Sequence, residues 1–467
     1  MPHALALAVE TATTVLAVAG MGYFLAAIVA ARVYLHHRRA PLPAFAPDVS
    51  ILKSLKGSDP GMMDAFRSHC RQNYGGEFEL LFGVSSPDDP AAAVVEQLKA
   101  EFPERQIHLV VCPERLGTNG KVSTLFQLSG HARHDFLLIN DSDITVSPRY
   151  LERVMACFGA GGSTPEGGEA AGSGLILSDE PEVQTSGAKA HGQFVELTPG
   201  LKSRSTTRAS YSVAYQARVS SSELDVRAEA RTLQSKPVGM VTALYRGRAH
   251  GTLGSRLEAL GIASDFMAGV LLSKMIEGGL HYGLGSTLAV SSEALEKAGG
   301  LLPLVDYLAD DYELGARVAK AGYRVVLNAE VVETAIPAYR WSGFVDHQVR
   351  WARTVRDARP GGYLGLMVTH GFGWALLNLV ASGLSPVSLW LLGLSFFLRL
   401  AQAMTVGAEV LGDHEMLASL WLLPLRDVVH MGIWLAGFAG NTIVWRGERF
   451  VLKDGKLFGQ GSEKPHG

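Results

Sequence analysis

Short apolar runs alternate with amphipathic segments between residues 47 and 158. The apolar runs have the length and continuity of strands that are buried on both faces. Predicted strands cover residues 49–55, 78–86, 107–112 and 135–141. Predicted helices cover residues 61–72, 90–102 and 121–132. This alternation predicts an α/β fold with a parallel sheet and helices on both faces, and a further strand is predicted at 238–247.

A much longer apolar segment lies near the N-terminus. Residues 11–31 are uncharged, and about 21 residues are enough to cross a bilayer. Arg32, Arg38 and Arg39 follow, and by the positive-inside rule the chain after them faces the cytoplasm. We therefore predict an N-terminal transmembrane helix over residues 10–35.

A second apolar region, residues 363–440, follows the soluble part of the chain. Its three segments lie near residues 365–383, 386–407 and 417–440. Arg426 and Asp427 in the third segment are costly in mid-bilayer unless they are paired. The tail, 441–467, is basic near its start and is predicted to be cytoplasmic. Both ends then lie on one side, which favours two crossings and an interfacial helix over three crossings.

Low-complexity sequence interrupts the soluble part. Gly, Ser, Thr and Ala dominate residues 159–235, which cannot bury enough apolar surface to offset the entropy of ordering. We predict a mostly disordered insertion there. One soluble domain would then comprise residues 47–158 and 236–358.

Composition agrees with a chain that lies partly in lipid. Hydrophobic residues make up 47% and charged residues 19%, against about 25% charged residues in average soluble domains. The net charge of −3 gives no electrostatic reason to expect nucleic acid as a partner. Cys70, Cys112 and Cys157 show no C-x-x-C spacing, which is typical of a reducing compartment rather than a disulfide framework.

Carboxylates follow two of the predicted strands. Asp88 and Asp89 come after the second strand, and Asp141 and Asp143 after the fourth. Ligands of open α/β sheets bind beyond the carboxyl ends of the strands. Carboxylate oxygens and substrate phosphates are the ligands that Mg²⁺ prefers, so the D-x-D is a candidate metal–diphosphate site. A turn or helix cap explains such residues equally well when they are taken alone.

Three other motifs carry candidate chemistry. In "LADDYELG", Asp311 is a candidate general base for a hydroxyl, although a helix start also favours Asp310 and Asp311. In "HQVRWAR", an arginine suited to phosphate is followed by a tryptophan, a pattern that an interfacial helix also shows. In "GTNGK", Lys121 ends a Gly-rich turn that lacks the full phosphate-loop pattern, so an ordinary turn is favoured.

The order of these motifs resembles the family-2-like glycosyltransferases of the GT-A fold, with their D, D-x-D, D and (Q/R)-x-x-R-W pattern. More narrowly, the chain resembles the ceramide glucosyltransferase family and its bacterial hopanoid-glycosylating relatives. The matching stretches are "SILKSLKGSDP", "FGVSSPDDPA", "GTNGKVSTL", "INDSDITV", "LADDYELG" and "HQVRWAR". The resemblance covers about residues 10–158 and 236–455. It implies a GT-A domain with a parallel-rich sheet and transmembrane helices on both sides.

Residue roles follow from the resemblance. It implies that Asp88 or Asp89 contacts the nucleotide and that Lys121 also binds the donor. It implies that Asp141 and Asp143 hold Mg²⁺ or Mn²⁺ on the diphosphate, with Asp141 also counted among the donor-binding residues.

The later motifs take the remaining roles. The resemblance implies that Asp311 is the general base and that Asp310 lies near the acceptor and the diphosphate. Arg350 and Trp351 would bind the donor, and His347 would lie near the acceptor and the diphosphate. His347 stands where the general pattern has Gln or Arg, which disfavours a polymerising synthase.

The resemblance implies a multi-pass membrane enzyme with a cytoplasmic catalytic domain, placed in a bacterial inner membrane. It would be an inverting glycosyltransferase that moves one sugar from a UDP-sugar to a lipid hydroxyl. Ceramide with glucose and bacteriohopanetetrol with N-acetylglucosamine are both compatible. Two alternatives are a processive polysaccharide synthase, which would need a membrane channel, and a non-catalytic nucleotide-sugar-binding membrane scaffold, because fold alone does not fix function.

Overall fold

A computed structural model describes residues 3–38, 41–59, 61–159, 236–445 and 448–459. The predicted insertion, residues 159–235, lies outside the described residues except for Gly159. Its disorder therefore stays a prediction.

Eight strands form the central sheet, in the order β3-β2-β1-β4-β7-β6-β8-β5. They are β1 (Val49–Ser54), β2 (Phe78–Val84), β3 (Gln106–Val111), β4 (Phe136–Ile139), β5 (Ile144–Thr145), β6 (Val238–Arg248), β7 (Leu288–Ser291) and β8 (Arg324–Ala335). Strands β3, β2, β1 and β4 are parallel, as are β6 and β8. Strand β7 is antiparallel to β4 and β6, and β5 to β8. The sheet is therefore mixed and mostly parallel, rather than wholly parallel as the alternation alone predicts.

Helices connect these strands close to the predicted positions. They are α2 (Met62–Cys70), α3 (Pro90–Glu101), α4 (Gly120–Ser129), α5 (Tyr150–Gly159), α8 (Ser292–Lys297), α9 (Asp310–Lys320) and α10 (Trp341–Ala358). The fourth parallel strand, β4, is buried along most of its length and ends directly before the D-x-D. The registers pair Leu52 of β1 with Ile139 of β4, so the carboxyl ends of the parallel strands lie at one edge.

Five helices among the described residues are long and apolar enough to cross a membrane. They span Ala4–His37, Leu253–Ile276, Pro360–Ala381, Pro386–Val410 and Glu415–Gly437. Their α-helical parts are α1 (His3–His37), α6 (Leu253–Gly261), α7 (Met267–Ile276), α11 (Pro360–Gly365), α12 (Gly371–Ala381), α13 (Pro386–Ala403) and α14 (Leu423–Gly437). A π-helical turn, Ile262–Phe266, joins α6 to α7. The sequence analysis did not predict a membrane helix over Leu253–Ile276.

Buried ion pairs hold the helix Leu253–Ile276 to α13 and α14. Arg399 is only 2% exposed and donates to Asp427 at 2.9–3.1 Å and also to Asp265. Arg426 Nε lies 3.2 Å from Asp265 Oδ2. The two charged residues that the sequence analysis marks as costly in a bilayer, Arg426 and Asp427, are thus both paired inside the protein. A buried pair recovers much of the desolvation cost only while both partners are present.

The tail forms a second sheet that the sequence analysis did not predict. Strands β9 (Thr442–Trp445), β10 (Glu448–Lys453) and β11 (Lys456–Gly459) are antiparallel. We call them the C-terminal sheet. Its apolar side chains pack on Leu308, just before α9. Arg353 and Arg356 of α10 donate to backbone carbonyls of the segment that leads into it.

We predict that Arg399→Ala lowers the stability of the chain by about 3–5 kcal/mol, because it removes the guanidinium that pairs with buried Asp427 and one of the two that pair with Asp265. The melting temperature in detergent measures this. The matched control is Arg32→Ala, since Arg32 pairs with Glu409 but is 57% exposed on its side chain. The control should change stability by no more than about 1 kcal/mol. Equal melting temperatures for the two variants would contradict the prediction.

Candidate active site

An ammonium group lies between carboxylates from two distant parts of the chain. Lys121, at the start of α4, has its Nζ 2.7 Å from Asp141 Oδ1 and 3.6 Å from Asp310 Oδ2. Its side chain is only 15% exposed, whereas that of Asp141 is 43% exposed. Lys121 thus pairs with both the D-x-D and the DD motif. The sequence "GTNGK" predicts an ordinary turn, and that turn also positions the ammonium of Lys121.

Hydrogen bonds at the start of α4 fix this arrangement. Asn119 caps α4, accepting from Val122 N at 3.2 Å, and its amide donates to Tyr307 O at 2.8 Å and Asp310 Oδ1 at 3.2 Å. Thr118 donates through its backbone and its hydroxyl to Asp306 at 2.9 Å. The loop before α9 is therefore held against the start of α4, which keeps Asp310 within reach of Lys121.

The electrostatics follow from burial and these neighbours. Burial alone would lower the pKa of Lys121, but Asp141 and Asp310 outweigh it and raise the pKa above its usual value. Lys53 of β1 is fully buried and donates to the backbone carbonyl of Asp141 at 3.0 Å. Burial lowers the pKa of Lys53 to about 7, against the opposing effect of Asp143 and Asp141. Two lysines therefore flank the D-x-D.

The D-x-D has a donor set that suits a divalent cation shared with a diphosphate. Thr334 of β8 donates to one oxygen of Asp143. Burial, and then the charge of Asp141, raises the pKa of Asp143, so a cation at this position would relieve a repulsion. Among the described residues, no three or more His, Cys, Asp or Glu side chains are grouped to hold a metal. Mg²⁺ commonly takes one or two carboxylates and completes its shell with substrate phosphates and water.

Asp311 has the properties of a general base. Burial, and then the neighbouring Asp310, raises the pKa of Asp311 to about 6, while Lys121 opposes the rise. Tyr312 N donates to its Oδ1 at 2.8 Å. A Cβ on Gly285 would lie only 2.9 Å from Asp311 Oδ2, so the absence of a side chain there leaves room for the carboxylate. A carboxylate with a pKa near the working pH is well matched to proton removal.

The structure separates the roles of the first acidic pair. Asp89 caps α3, accepting from Ala91 N at 2.9 Å, and accepts from Gly57 N at 2.9 Å. Asp88 is exposed, and its backbone N–H donates to Ser86 Oγ at 3.2 Å. Asp89 thus has a structural task, which leaves the carboxylate of Asp88 the more accessible of the two.

The H-x-x-R-W motif lies on α10 and faces the helix Leu253–Ile276. His347 Nδ1 is 3.0 Å from Oε2 of Glu258, a carboxylate that is almost fully buried. The ring of Trp351 lies 5.9 Å from that of Phe266 and 5.4 Å from that of His347. Arg350 lies between them in sequence on the same helix and is partly buried.

Sequence reasoning missed three residues at this site. Tyr245 of β6 is buried, and burial followed by the charges of Asp311 and Glu258 raises its pKa well above the usual value. Asp141 and Asp143 act on Tyr245 in the same direction, so the phenol lies near the carboxylates of the D-x-D, of Asp311 and of Glu258. Glu258 and Lys53 are the other two. The only signal for Lys53 was a charge inside an otherwise apolar strand.

A pocket opens beside Lys121, beyond the carboxyl ends of β1, β2 and β3. Its lining residues from that edge include Lys56, Ser85, Pro113, Arg115 and Lys121. The C-terminal sheet supplies the facing side chains, Trp445, Glu448 and Phe450.

The model of glycosyl transferase family 21 matches residues 12–163 and 213–458, well over half of the chain. The chain belongs to glycosyl transferase family 21. This membership confirms the predicted fold class and establishes that the chain is a glycosyltransferase with helices suited to a membrane.

Named relatives agree with the family assignment. This family-21 chain is 22% identical over 435 residues to ceramide glucosyltransferase 3 of Caenorhabditis elegans, covering 90% of this chain and 76% of the relative. It is 33% identical over 114 residues to ceramide glucosyltransferase 1 of the same organism, 24% of each chain. Among solved structures, it resembles a mannosyltransferase from Pyrobaculum calidifontis in complex with GDP-Man and Mn²⁺. That match has a TM-score of 0.43 and 16% identity, and it covers 92% of this chain and 97% of that one.

We predict that Asp89→Ala and Asp88→Ala differ in their effect on stability. Asp89→Ala removes a helix cap and a loop contact and should cost about 1 kcal/mol. Asp88→Ala removes an exposed carboxylate and should stay within about 0.5 kcal/mol of the wild type. Thermal melting of the purified chain compares them. The assignment is wrong if Asp88→Ala is the more destabilising.

Proposed function

We propose that this family-21 enzyme moves one sugar from a UDP-sugar to a hydroxyl of a membrane lipid, with inversion at the anomeric carbon. We propose ceramide with glucose as the first choice of acceptor and sugar. The observation that carries the proposal is the position of Asp311 and Lys121. Lys121 pairs with Asp141 of the D-x-D and with Asp310, the neighbour of Asp311. Trp351 of α10 contacts Phe266 of the apolar helix Leu253–Ile276.

Charge at the sheet edge suits a departing diphosphate. Asp141 and Asp143 would hold Mg²⁺ or Mn²⁺, and that ion supplies neutralisation of the leaving group when it is bound. Lys121 pairs with both Asp141 and Asp310, and Lys53 donates to the backbone of the D-x-D. Arg350 adds a guanidinium suited to phosphate oxygens. Preorganised charge of this kind is usually the largest contribution to such a transfer.

Asp311 performs the proton transfer. Its carboxylate takes the proton of the lipid hydroxyl while the hydroxyl oxygen forms a bond to the anomeric carbon. The bond from that carbon to the diphosphate oxygen breaks, and UDP leaves with the electron pair. A single displacement inverts the anomeric configuration. Burial of Asp311 supports this role, because it keeps the proton affinity of the carboxylate high.

Aromatic side chains form a route for the acceptor. Tyr245 lies 5.9 Å from Phe266, and Phe266 lies 5.9 Å from Trp351, measured between ring centroids. His347 follows at 5.4 Å from Trp351, and Tyr339 stacks on His347 at 5.4 Å. This row begins at Tyr245, passes through Phe266 of the helix Leu253–Ile276 and continues along α10 to Tyr339. It suits a lipid whose hydroxyl must reach Asp311 while its chains stay in the bilayer.

The aromatic row supports a lipid entrance beside Asp311, which favours the transfer of one sugar to each lipid.

We propose that the catalytic domain faces the cytoplasm, with the basic segments after α1 and α14 on the same side, and that the membrane is a bacterial inner membrane.

The deciding experiment measures UDP release by the full chain in nanodiscs with Mg²⁺ or Mn²⁺. UDP-glucose and UDP-N-acetylglucosamine are each offered ceramide, bacteriohopanetetrol or no added lipid. We expect release that requires a lipid and is lost in Asp141→Ala. Release with bacteriohopanetetrol alone would identify that lipid, rather than ceramide, as the acceptor. A product that carries many sugars would favour a polysaccharide synthase. UDP binding without release under any condition would favour a non-catalytic scaffold.

We predict that kcat/KM rises with pH and levels off above about 6, because Asp311 must be ionised to act as a base. Below that pH the rate should fall about tenfold per unit. Asp311→Asn should lower kcat by roughly 10²- to 10⁴-fold and leave UDP binding largely intact.

The matched control is Glu313→Gln, since Glu313 lies on the same helix and pairs with Arg317 at 2.9 Å. It should keep the wild-type profile. Equal loss of turnover and UDP binding in Asp311→Asn would count against its role as the base.

A further inference from the structure

The C-terminal sheet forms one wall of the pocket beside Lys121. Trp445 of β9 and Phe450 and Glu448 of β10 face the loops that follow β1, β2 and β3. The Trp445 side chain packs against the core of the C-terminal sheet but is only partly buried, whereas Phe450 in that core is 4% exposed. Part of this large, flat aromatic group is therefore open to the pocket.

Several contacts fix this wall in place. Leu308 N donates to Gly455 O at 3.1 Å, and Leu457 N donates to Asp306 O at 2.8 Å. Arg115, in the loop after β3, lies 3.2 Å from a carboxylate oxygen of Glu448. The C-terminal sheet is thus bonded to the loop after β3 and to the loop before α9, so Trp445 lies on a supported strand.

The position of the pocket along the sheet identifies its occupant. Lys121 lines the pocket and also contacts Asp141, so the pocket continues into the diphosphate site. The sheet order places β1, β2 and β3 on one side of β4, and β7, β6 and β8 on the other. The aromatic row that starts at Tyr245 of β6 lies on that other side. A donor with its diphosphate at Asp141 therefore extends its nucleoside toward the pocket and its sugar toward Asp311.

We propose that Trp445 stacks on the nucleobase of the donor, so that the C-terminal sheet is part of the donor site. This inference rests on the proposed function, in which the diphosphate binds at Lys121 and Asp141. Every base has a flat π-face on which an indole can stack. Glu448 lies beside it as an acceptor for hydroxyl or imide hydrogens, and Arg115 offsets its charge.

The test is nucleotide binding to the full chain in nanodiscs, measured by titration calorimetry with Mn²⁺ present. It uses whichever of UDP and GDP the wild type binds. Trp445→Ala should weaken nucleotide binding roughly 10- to 100-fold, as loss of a base stack does. Trp445→Phe should restore most of the affinity. Inorganic pyrophosphate should bind Trp445→Ala as it binds the wild type, because it has no base.

The matched control is Val444→Ala, since Val444 is the preceding residue of β9 and is 50% exposed on the alternate face. It should bind nucleotide like the wild type. The inference is overturned if Trp445→Ala binds nucleotide as tightly as Val444→Ala. It is also overturned if pyrophosphate binding falls equally in Trp445→Ala, or if the wild type binds neither nucleotide. Normal nucleotide binding without lipid glycosylation would instead refute the proposed acceptor and leave the role of Trp445 standing.

Discussion

The ion pairs of Lys121 are the interaction on which the site depends. Asp141 follows a central strand and Asp310 begins a helix 169 positions later, and without a cation between them these carboxylates would repel each other. Since Lys121 is mostly buried, its attraction to them is screened far less than that of a surface lysine. The same charge opposes the rise in the pKa of Asp311, which keeps that carboxylate in a range useful for a base. The ammonium of Lys121 therefore holds Asp141 and Asp310 together and also limits the rise in the pKa of Asp311.

Sequence pattern predicted the parts of this site that depend on local structure. A continuous apolar run before Asp141 predicts a buried strand, and the strand ends where the run ends. The position of Asp311 at a helix start was also evident from local signals. The contact between Lys121 and Asp310 was not, because the two residues are far apart in sequence and no periodicity reports such a pair. For the same reason the sequence indicated only that Tyr245 is an apolar position in a predicted strand.

The membrane part contains one apolar helix that the sequence analysis did not predict, Leu253–Ile276. The interfacial position of the last segment stays a prediction. Charged residues are costly in a bilayer unless they are paired. In the folded chain Arg399 joins Asp265 to Asp427, and these costs are shared among partners on three helices. The C-terminal sheet escaped notice because its short strands are largely exposed. Its few buried side chains become a core only when they meet Leu308.

The buried ion pairs and the H-x-x-R-W motif are connected through one helix. Asp265 is fixed by Arg399, and the next residue, Phe266, contacts Trp351 of the H-x-x-R-W motif. About two turns earlier, Glu258 holds His347 of the same motif. The helix is therefore attached to the membrane bundle at Asp265 and to α10 at two points. In the proposed function, these contacts would hold the H-x-x-R-W motif in a fixed position relative to the apolar helices, where a lipid acceptor would enter.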